Sequence, residues 1–459
     1  CAVDMDYTKE ERRENVAVWL RVLNGVTLYL IEADRFAEKQ GVYTYTEIEE
    51  QRHPWQVKGE GHYDYFAMNV LLQKAALDLM ILMKEQPDII HCQDGHAAIL
   101  PAMMRENGGY RHYFRHTAAV VTIHNAGVGY HQEVGDLHFA RAVTGLPQRV
   151  IDASLLNGAF DPFLAAAPYA ILNTVSENYA RELQETGEDR RTGWLGHALL
   201  ARQVKLAGIT NGIDPQSYDP TQPESLQLGA GFDVRNAQLE GKRCCKVSLL
   251  EHLQAQAFGD RLVQHGTLPC QPDDPLCVFI GRLTAQKGVD LLIKAMETLI
   301  TTDLGCRFLV FGSGTELYEQ QLIQMAEQWP GRMCFLKGFD PAVANSVYAA
   351  GDLFMIPSRY EPCGLTDYIA QLLGTLPVVH HVGGLVKVID EETGFAYTHE
   401  SAAALVGALT RALGVYRHEP ERFKKMQQNA VERIDRLHAW KQVMKAYQEI
   451  YLQAMQQCP

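Results

Sequence analysis

Short apolar runs alternate with helix-patterned segments through the second half of this chain, and that order restricts the fold more than any other feature. Residues 276–280, 306–311 and 353–356 are apolar runs of strand length, whereas residues 291–300 carry apolar side chains at helical spacing. Repetition of strand, loop and helix predicts a parallel sheet with helices on both faces. The predicted fold class is therefore α/β.

The first half of the chain repeats this order less regularly. Predicted strands lie at residues 26–31, 88–92 and 118–123, and predicted helices lie at residues 66–83 and 97–107. A turn-rich stretch at residues 210–215 follows a strand-like run at 204–209. Because 459 residues are too many for one hydrophobic core, we place a domain junction at that stretch.

Composition argues against several classes of protein. Acidic residues outnumber basic ones by 55 to 42, the formal net charge is −13, and the sequence has no dense block of Lys and Arg. We therefore expect no binding to nucleic acid or to a membrane. No apolar run approaches the length of about eighteen residues that spans a bilayer. The ten cysteines form no C-x-x-C pair, which favours free thiols in a reducing cytoplasm.

Two cations flank a loop between a predicted strand and a predicted helix. Residues 279–288 read FIGRLTAQKG, with Gly281 and Arg282 directly after the strand and Lys287 before the helix. A helix N-terminus already favours anions, so Arg282 and Lys287 together are suited to neutralise a pyrophosphate. The alternative is that both are solvated cations on a loop.

A carboxylate and a glycine follow the predicted strand at 353–356. Residues 357–366 read PSRYEPCGLT, so Glu361 and the backbone N–H groups near Gly364 are able to converge on a ligand that carries phosphate and hydroxyls. A Glu before a helix is otherwise a capping or solvated residue. Its position favours binding, because open α/β sheets bind ligands at the carboxyl ends of their strands.

Two polar blocks follow strands of the first half. Residues 91–96 read HCQDGH and residues 122–125 read TIHN, and we expect their polar side chains to meet at the carboxyl edge of a sheet. A metal cluster of His91, Asp94 and His96 is the alternative. Its spacing fits no usual zinc pattern, and a lone His96 is more often a structural histidine.

The sequence contains, in order, HCQDGH, TIHNAG, NTVSENYAREL, ITNGID, GRLTAQKG, FGSGTE, PSRYEPCGLT and GTLPVVHHVGGL. From about Val26 to the C-terminus, this ordered set resembles the bacterial glycogen synthase and plant starch synthase family. The resemblance implies a GT-B fold, in which two Rossmann-like domains with parallel sheets face a central cleft. It implies an acceptor-side domain at 1–213, a nucleotide-sugar domain at 214–436, and a helix at 437–459 that crosses back to the first domain.

The resemblance also assigns roles to single residues. Arg282 and Lys287 match the pair that binds the donor phosphates, and Glu361 matches the carboxylate that contacts the donor glucose. Asp94 and His124 match residues that contact the transferred sugar. The expected catalytic set is Asp94, His124, Arg282, Lys287 and Glu361. The expected donor-binding set is Asn125, Asn211, Gly281, Arg282, Lys287, Phe339, Cys363, Gly364, Leu365 and Thr366.

Phe339 falls where the family places an aromatic ring against adenine, although a buried core position is the alternative for this side chain. The implied reaction is retaining transfer of glucose from ADP-glucose or UDP-glucose to the non-reducing end of an α-1,4-glucan. No cofactor and no metal are implied, because the two cations would stabilise the leaving diphosphate.

Three other functions share part of this pattern. A related retaining transferase that makes sucrose or decorates lipids would carry a second Glu where this chain has Ile369. A glucan phosphorylase would need pyridoxal phosphate bound to a lysine. A non-catalytic nucleotide-sugar or glycan-binding protein would need no transfer chemistry at all.

The sequence departs from the family pattern at several positions. No K-x-G-G-L motif precedes Val26, and residues 1–20 show neither the strand nor the glycine-rich turn that opens a doubly wound domain. We therefore expect the first domain to be truncated at its start. Gly95 stands in place of the family's aromatic residue and Asp367 in place of its usual Gln. These changes bear on acceptor preference more than on donor chemistry.

Overall fold

The computed structural model describes residues 2–7, 12–259 and 261–458, and the chain divides into two compact units. Unit 1 consists of Cys1–Ile209 together with Ala446–Pro459, and unit 2 consists of Thr210–Lys445. The functional domains taken from the sequence, 1–213, 214–436 and 437–459, remain a prediction.

Unit 1 is built on a parallel sheet. The strands of the whole unit are β1 (Ala2–Asp4), β2 (Arg13–Asn15), β3 (Ala17–Leu23), β4 (Val26–Glu32), β5 (Ile89–Gln93), β6 (Ala118–Ile123), β7 (Leu155–Leu156), β8 (Ala159–Phe160), β9 (Ile171–Thr174) and β10 (Ala207–Gly208). Within the described part of this unit, β10, β9, β6 and β5 form the parallel sheet in that order. Every residue of β6 is buried, as expected for a strand covered on both faces. The predicted strands at 88–92 and 118–123 are confirmed.

The predicted strand at 26–31 is present, but it belongs to a hairpin rather than to the parallel sheet. β4 pairs antiparallel with β3, and the turn is formed by Asn24 and Gly25, with φ of 51° and 80°. Asn-Gly is the preferred sequence for a two-residue hairpin turn. The described residues of 1–20 contain β1, β2 and part of β3, but these strands pair antiparallel outside the parallel sheet, so none of them is the strand that opens a doubly wound domain. Residues 1 and 8–11 of that stretch lie outside the described residues.

Helices cover the sheet of unit 1. They are α1 (Asp34–Ala37), α2 (Glu47–Arg52), α3 (Tyr65–Met83), α4 (Asp94–Ala97), α5 (Leu100–Glu106), α6 (Tyr110–Tyr113), α7 (Leu137–Thr144), α8 (Gln148–Ala153), α9 (Pro162–Ala166), α10 (Glu177–Glu185) and α11 (Leu195–Ala201). The predicted helix at 66–83 is confirmed as α3. The helix predicted at 97–107 is wrong in extent, because α4 ends at Ala97 and α5 begins at Leu100. Pro101 lies in the first turn of α5, where its missing N–H is tolerated.

By length and composition alone, α3 is apolar enough to cross a membrane. Half of that apolar stretch is buried inside the unit, and Lys74 in its middle donates to the backbone oxygen of Asp4 at 2.8 Å. These contacts are those of a core helix that packs within a globular unit.

Unit 2 contains a larger sheet. Its strands are β11 (Leu262–His265), β12 (Leu276–Ile280), β13 (Arg307–Gly312), β14 (Met333–Gly338), β15 (Leu353–Ile356), β16 (Leu376–His380) and β17 (Phe395–Tyr397). In the described residues of unit 2 the sheet has the order β11-β14-β13-β12-β15-β16-β17, with β11 antiparallel and the other neighbours parallel. The parallel strands thus follow the usual doubly wound order. Successive strands are added on one side of β12 up to β14, and then on its other side from β15 onward, so the strand order reverses between β12 and β15. The predicted strands at 276–280, 306–311 and 353–356 are confirmed, the second with a shift of one residue.

Helices pack on both faces of this sheet. They are α12 (Pro223–Leu226), α13 (Glu240–Ala255), α14 (Val289–Thr301), α15 (Glu316–Gln328), α16 (Pro341–Ala350), α17 (Thr366–Leu372), α18 (Ala402–His418) and α19 (Pro420–Arg433), and α20 (Trp440–Gln457) contributes residues to both units. Alternate side chains of β12 enter two cores. Leu276 and Val278 pack on the side of α13 and α16, whereas Cys277 and Phe279 pack on the side of α14, α15 and α18. The predicted α/β class is confirmed.

Candidate functional site

The loop after β12 is held against the loop after β13. The Gly281 N–H donates to the Phe311 backbone oxygen at 3.1 Å. At Gly314 a Cβ atom would lie 2.4 Å from the Leu283 backbone oxygen, so only glycine permits this approach. Arg282 lies between these contacts, and its side chain is exposed. The backbone of the predicted cation loop is therefore fixed, while its first cation faces solvent.

The second cation of the loop contacts the predicted sugar-binding carboxylate. The Lys287 Nζ lies 2.5 Å from the Glu361 Oε2, and the Ser358 hydroxyl donates to the same oxygen at 3.0 Å. Gly288 makes this possible, because its φ is 68° and a Cβ atom there would lie 2.0 Å from the Pro357 backbone oxygen. The side chains of Lys287 and Glu361 are only 22% and 14% exposed. The interpretation of these two residues as solvated charges is therefore wrong.

A two-glycine turn supports the segment that carries Glu361. The Gly384 N–H donates to the Glu361 backbone oxygen at 2.9 Å. Cβ atoms at Gly383 and Gly384 would lie 2.0 Å from the Glu361 oxygen and 2.1 Å from the Cys363 oxygen. Neither position accepts a larger residue without a shift of the backbone. The GG pair of the GTLPVVHHVGGL block therefore allows the backbone of this turn to pack directly against the Glu361 segment.

The other predicted donor-binding residues of this segment come shortly after Glu361 in the sequence. Cys363 is buried, which raises the pKa of its thiol, and the Asn211 backbone N–H hydrogen-bonds the sulfur. Gly364 has φ of 74°, Leu365 is exposed, and Thr366 is the first residue of α17. The structure therefore brings Asn211 next to the Cys363 segment, although more than a hundred residues separate them in the sequence.

A buried ion pair lies beneath this segment, and sequence analysis missed half of it. The Lys387 Nζ donates to the backbone oxygens of Cys363 and Gly364 at 2.5 and 2.8 Å, and lies 3.1 Å from the Asp367 Oδ1. It also lies 4.5 Å from the centre of the Tyr368 ring. Burial raises the pKa of Asp367 to about 6, even though Lys387 acts in the opposite direction. Asp367 was singled out as a departure from the family, but no local spacing identifies Lys387 as its partner.

Phe339 follows β14 and presents its ring to solvent. The side chain is 69% exposed, so its interpretation as a buried core residue is wrong. Asp340 directly after it caps α16, with its carboxylate accepting from the N–H groups of Ala342 and Val343 at 2.9 and 3.1 Å. The cap ends the loop at a defined point, and the ring is left available to an aromatic ligand.

In unit 1, Asp94 is the centre of the predicted sugar-contacting cluster. It follows β5 with φ of 59°, and its Oδ1 accepts from the backbone N–H groups of His124 and Asn125 at 2.7 and 3.3 Å. The His124 Nε2 hydrogen-bonds the Gln93 Oε1 at 2.7 Å. Burial raises the pKa of Asp94, while His124 lowers it. The structure thus brings Asp94, His124 and Asn125 together at the carboxyl edge of the sheet, as the sequence predicted.

The change from an aromatic residue to Gly95 has a local cause. A Cβ atom at Gly95 would lie 2.2 Å from the His131 backbone oxygen, so the 126–134 loop occupies the space of a side chain. His131, which sequence analysis missed, fixes that loop. Its Nδ1 lies 2.7 Å from the Asp161 Oδ2 and its Nε2 lies 2.6 Å from the Ala126 backbone oxygen. Burial opposes protonation of His131, but the Asp161 contact raises its pKa overall.

The metal interpretation of His91, Asp94 and His96 gains no support. His91 hydrogen-bonds the Tyr451 hydroxyl at 2.9 Å and the Thr122 hydroxyl at 2.7 Å, and burial lowers its pKa to about 4. It is therefore a neutral structural histidine. In the parts of the chain that the structure describes, no group of three or more His, Cys, Asp or Glu side chains is arranged to hold a metal ion, and the nine cysteines there are free thiols.

The candidate residues of unit 2 lie where a doubly wound sheet binds its ligand. The loops of Arg282 and Glu361 follow β12 and β15, the adjacent strands between which the chain reverses direction. A cation, an ion pair and an exposed aromatic ring there suit a ligand that combines negative charge, hydroxyls and a flat ring. Two units of this design, one of them with such loops, are typical of the GT-B glycosyltransferases.

Comparison with known proteins supports that class and narrows it. Residues 2–196 match the starch synthase catalytic domain family, and residues 274–414 match glycosyl transferases group 1. The chain is 31% identical to glycogen synthase of Streptococcus gordonii over 96% of this chain and 85% of that protein. It is 29% identical to glycogen synthase of Thermotoga maritima over 99% and 86%. The chain belongs to the glycogen synthase and starch synthase family, and it is a glycosyltransferase.

Solved structures agree on the fold. The catalytic domain of starch synthase IV from Arabidopsis thaliana, bound to ADP and acarbose, matches with a TM-score of 0.80 at 24% identity. The match covers 100% of this chain and 88% of the starch synthase chain. Sucrose-phosphate synthase from Thermosynechococcus elongatus has a TM-score of 0.52 at 18% identity and covers 86% and 80%. The fold is GT-B, as the sequence predicted.

Proposed function

We propose that this protein transfers glucose, with retention of configuration, from ADP-glucose or UDP-glucose to the non-reducing end of an α-1,4-glucan. The observation that carries the proposal is the Lys287–Glu361 pair beside the exposed Arg282, on the loops after β12 and β15. Membership of the family supports glucan chemistry. The starch synthase neighbour was solved with ADP, which favours an adenine donor over a uracil one.

When the donor binds, Lys287 and Glu361 give up their contact with each other and each contacts the donor instead. A donor diphosphate would draw Lys287 and Arg282 onto its oxygens, and Glu361 would then be released to accept from hydroxyls of the donor glucose. As the bond from the anomeric carbon to the diphosphate oxygen breaks, the two cations stabilise the charge on the leaving group. The acceptor 4-OH attacks from the face that the nucleotide leaves, and its proton passes to a phosphate oxygen. No protein nucleophile takes part.

The other predicted residues bind and orient the donor. Gly281, Asn211 and the backbone of Cys363, Gly364, Leu365 and Thr366 would surround the diphosphate and sugar, and the Phe339 ring would stack on the base. In unit 1, Asp94, His124 and Asn125 would contact the transferred glucose. Residues 1–213 would then serve the acceptor, residues 214–436 the nucleotide sugar, and residues 437–459 would form the helix that returns to the first domain.

Purified protein, a short maltooligosaccharide and each donor in turn provide the test. We expect elongation with release of nucleoside diphosphate, and a product that an α-1,4-specific amylase degrades completely. Nuclear magnetic resonance of the new linkage should show the α-anomer, as in the donor. Absence of elongation with both donors, or a β-linked product, would overturn the proposal.

The same cations lead us to expect activity without an added metal ion. Arg282 and Lys287 compensate the leaving group, a role that a divalent ion has in other transferases. Treatment with a chelator should leave the rate of elongation unchanged, whereas complete loss of activity that is restored by a divalent ion would contradict this mechanism. We further propose a cytoplasmic location, in keeping with the free thiols of the described residues.

A further inference from the structure

Lys387 binds two successive peptide units of the predicted donor-binding segment. Its Nζ donates to the Cys363 backbone oxygen at 2.5 Å and to the Gly364 backbone oxygen at 2.8 Å. The Lys387 side chain is only 7% exposed, and its Nζ lies 4.5 Å from the centre of the Tyr368 ring. The ammonium group is therefore enclosed, and the two carbonyl groups are held toward it.

This contact also sets the direction of the N–H groups of the same peptide units. In a planar trans peptide the C=O and N–H groups point in opposite directions, so the N–H groups of Gly364 and Leu365 face away from Lys387. Gly364 is left-handed, with φ of 74°, whereas Leu365 is right-handed, with φ of −117° and ψ of −26°. A change of hand between neighbouring residues turns successive N–H groups toward one side, where they form a concavity that suits an anion.

The Asp367 carboxylate controls how much of the Lys387 charge acts beyond the pair. Its Oδ1 lies 3.1 Å from the Lys387 Nζ, and Asp367 is fully buried. The pair has no net charge when Asp367 is ionised and one positive charge when Asp367 is protonated. Peptide and hydrogen-bond dimensions place the Nζ about 8 Å from an anion bound by the Gly364 and Leu365 N–H groups, a distance over which salt screens a buried charge little. Asp367 stands where the family has Gln, which cannot ionise.

Asp367 is the member of this cluster that changes its charge near neutral pH. Burial raises the pKa of Asp367 to about 6, although Lys387 acts in the opposite direction. The other titratable groups around the pair are Glu361, Cys363, Tyr348, Tyr368, Arg433 and His438. Burial raises the pKa of the thiol and of both tyrosines, and it lowers the pKa of His438 to about 4. The guanidinium stays charged, and Glu361 is held by Lys287.

We propose that Lys387 is a positioning residue for the nucleotide-sugar donor, and that ionisation of Asp367 weakens donor binding by cancelling the Lys387 charge. The inference rests on the proposed function, because it takes the donor diphosphate as the anion that the Gly364 and Leu365 N–H groups bind. Lys387 acts through the backbone that it orients and through its field, which adds to that of the two cations on the loop after β12. Donor binding and protonation of Asp367 therefore favour each other.

Calorimetry with ADP-glucose and with UDP-glucose, without glucan, measures donor affinity in the absence of transfer. The diphosphate of either donor is a diester, so its charge stays constant over the range tested. We expect the dissociation constant of the natural chain, divided by that of Asp367→Asn, to rise from about one at about pH 5 to about ten at about pH 8. Near pH 7 the natural chain should take up a fraction of a proton more per donor than Asp367→Asn, measured from the dependence of the binding heat on the buffer.

The role of Lys387 is tested where Asp367 is already neutral, because loss of Lys387 alone would leave a buried carboxylate without its partner. Asp367→Asn, Lys387→Met should bind donor about tenfold more weakly than Asp367→Asn, and Asp367→Asn, Lys387→Arg, which keeps a cation, should lie between them. The KM for donor should change in proportion, while the KM for maltotriose stays unchanged.

Asp352→Asn is the matched control. Asp352 also pairs with a buried lysine, since its Oδ2 lies 2.6 Å from the Lys246 Nζ, but it precedes β15 whereas Glu361 follows that strand. This variant should leave the pH dependence of donor affinity unchanged. Thermal unfolding of each variant verifies that the unit remains folded.

A constant ratio of dissociation constants from about pH 5 to about pH 8 would overturn the inference, and so would the same pH-dependent ratio with Asp352→Asn. Equal donor affinity of folded Asp367→Asn, Lys387→Met and Asp367→Asn would overturn it as well. A chain that elongates glucan while the ratio stays constant refutes the positioning role alone. A chain that shows the expected ratio but never elongates glucan refutes the proposed function alone, and a chain that binds neither nucleotide sugar refutes both.

Discussion

The candidate residues of the two units lie at equivalent places, the carboxyl ends of parallel strands, but they are held in different ways. In unit 2, Lys287 and Glu361 hold each other through side chains, over a backbone that glycines such as Gly288 allow to pack closely. In unit 1, the Asp94 carboxylate holds the backbone of His124 and the next residue. Charges in unit 2 can therefore change partners when a ligand arrives, whereas the charge in unit 1 shapes the loop.

This difference predicts which unit is more sensitive to the loss of charge. Side chains that transfer their interaction to a leaving group act in the transition state, where they influence the rate most strongly. A carboxylate that already accepts from backbone amides contributes mainly to the position of the loop. Substitutions in unit 2 should accordingly have larger kinetic effects than substitutions of matched type in unit 1.

The largest effect is expected from Arg282→Ala and Lys287→Ala. Each removes a cation from the group that leaves with negative charge, so kcat/KM should fall by about 10²–10³-fold, or about 3–4 kcal/mol. Lys294→Ala provides the control, because Lys294 is an exposed cation on α14, the helix that follows the loop. Near-normal turnover in both variants would break the comparison between the two units.

The next effect concerns the stability of the buried Asp367–Lys387 pair. The pKa of Asp367 is raised from 3.8 to about 6 in the folded chain, so the folded chain keeps this proton over a range in which the unfolded chain has lost it. The contribution of Asp367 to stability is therefore present below about pH 4 and is lost as the pH rises through about 6. The Asp367→Asn variant cannot ionise at this position. The free energy of unfolding of the variant minus that of the natural chain should therefore increase by about 2–3 kcal/mol between pH 4 and pH 7.

Denaturant unfolding at several pH values checks this expectation. A pH-independent difference between Asp367→Asn and the natural chain would mean that Asp367 titrates at its ordinary value. Asp290→Asn is a useful contrast, because hydrogen bonds from Arg359 lower the pKa of Asp290. The ionised Asp290 of the natural chain should stabilise the fold above the pKa that this group has in the unfolded chain. This stabilisation should disappear as the pH falls, which is the opposite trend to that of Asp367.

Sequence analysis predicted most of the central strands and missed long-range partners. Residues 276–280 and 353–356 are continuous apolar runs, and the structure contains these strands at the same residues. The strand at 26–31 is present but belongs to a hairpin rather than to the parallel sheet, because the Asn24-Gly25 turn pairs it with β3. Local patterns reveal a strand's face, while its partner depends on the rest of the chain.

The candidate site shows the same limit. Arg282, Lys287 and Glu361 were identifiable, since each lies at a strand end with a recognisable motif around it. The contact between Lys287 and Glu361 was not, because the glycine that brings their loops together acts through a backbone contact to Pro357. Lys387 was missed for a similar reason: its partners are carbonyl oxygens that no sequence spacing reveals.

A third effect is expected from Glu361→Gln. The amide keeps hydrogen-bonding capacity for the donor glucose but loses the charge that complements the developing oxocarbenium, so kcat should fall by about 30-fold, about 2 kcal/mol, with little change in donor binding. It also removes the ion pair with Lys287, so donor affinity measured by calorimetry serves as the second readout. A glucosyl adduct on Glu361 trapped by mass spectrometry, or full turnover of the variant at saturating donor and glucan, would contradict the assigned role.

The smallest of these effects is expected from Asp94→Asn, and it tests the comparison most directly. Asn tolerates the left-handed backbone that Asp94 adopts, and its side-chain oxygen is still able to accept from the His124 N–H. The loop should therefore keep its shape, and kcat/KM should fall by about tenfold or less, about 1 kcal/mol. Asp94→Ala removes both backbone hydrogen bonds and strains the left-handed position, so it should lower the thermal stability and the activity further. If Asp94→Asn instead lowers kcat/KM as much as Lys287→Ala while the unfolding temperature stays unchanged, the Asp94 charge acts on the reaction itself, and the distinction between the two units fails.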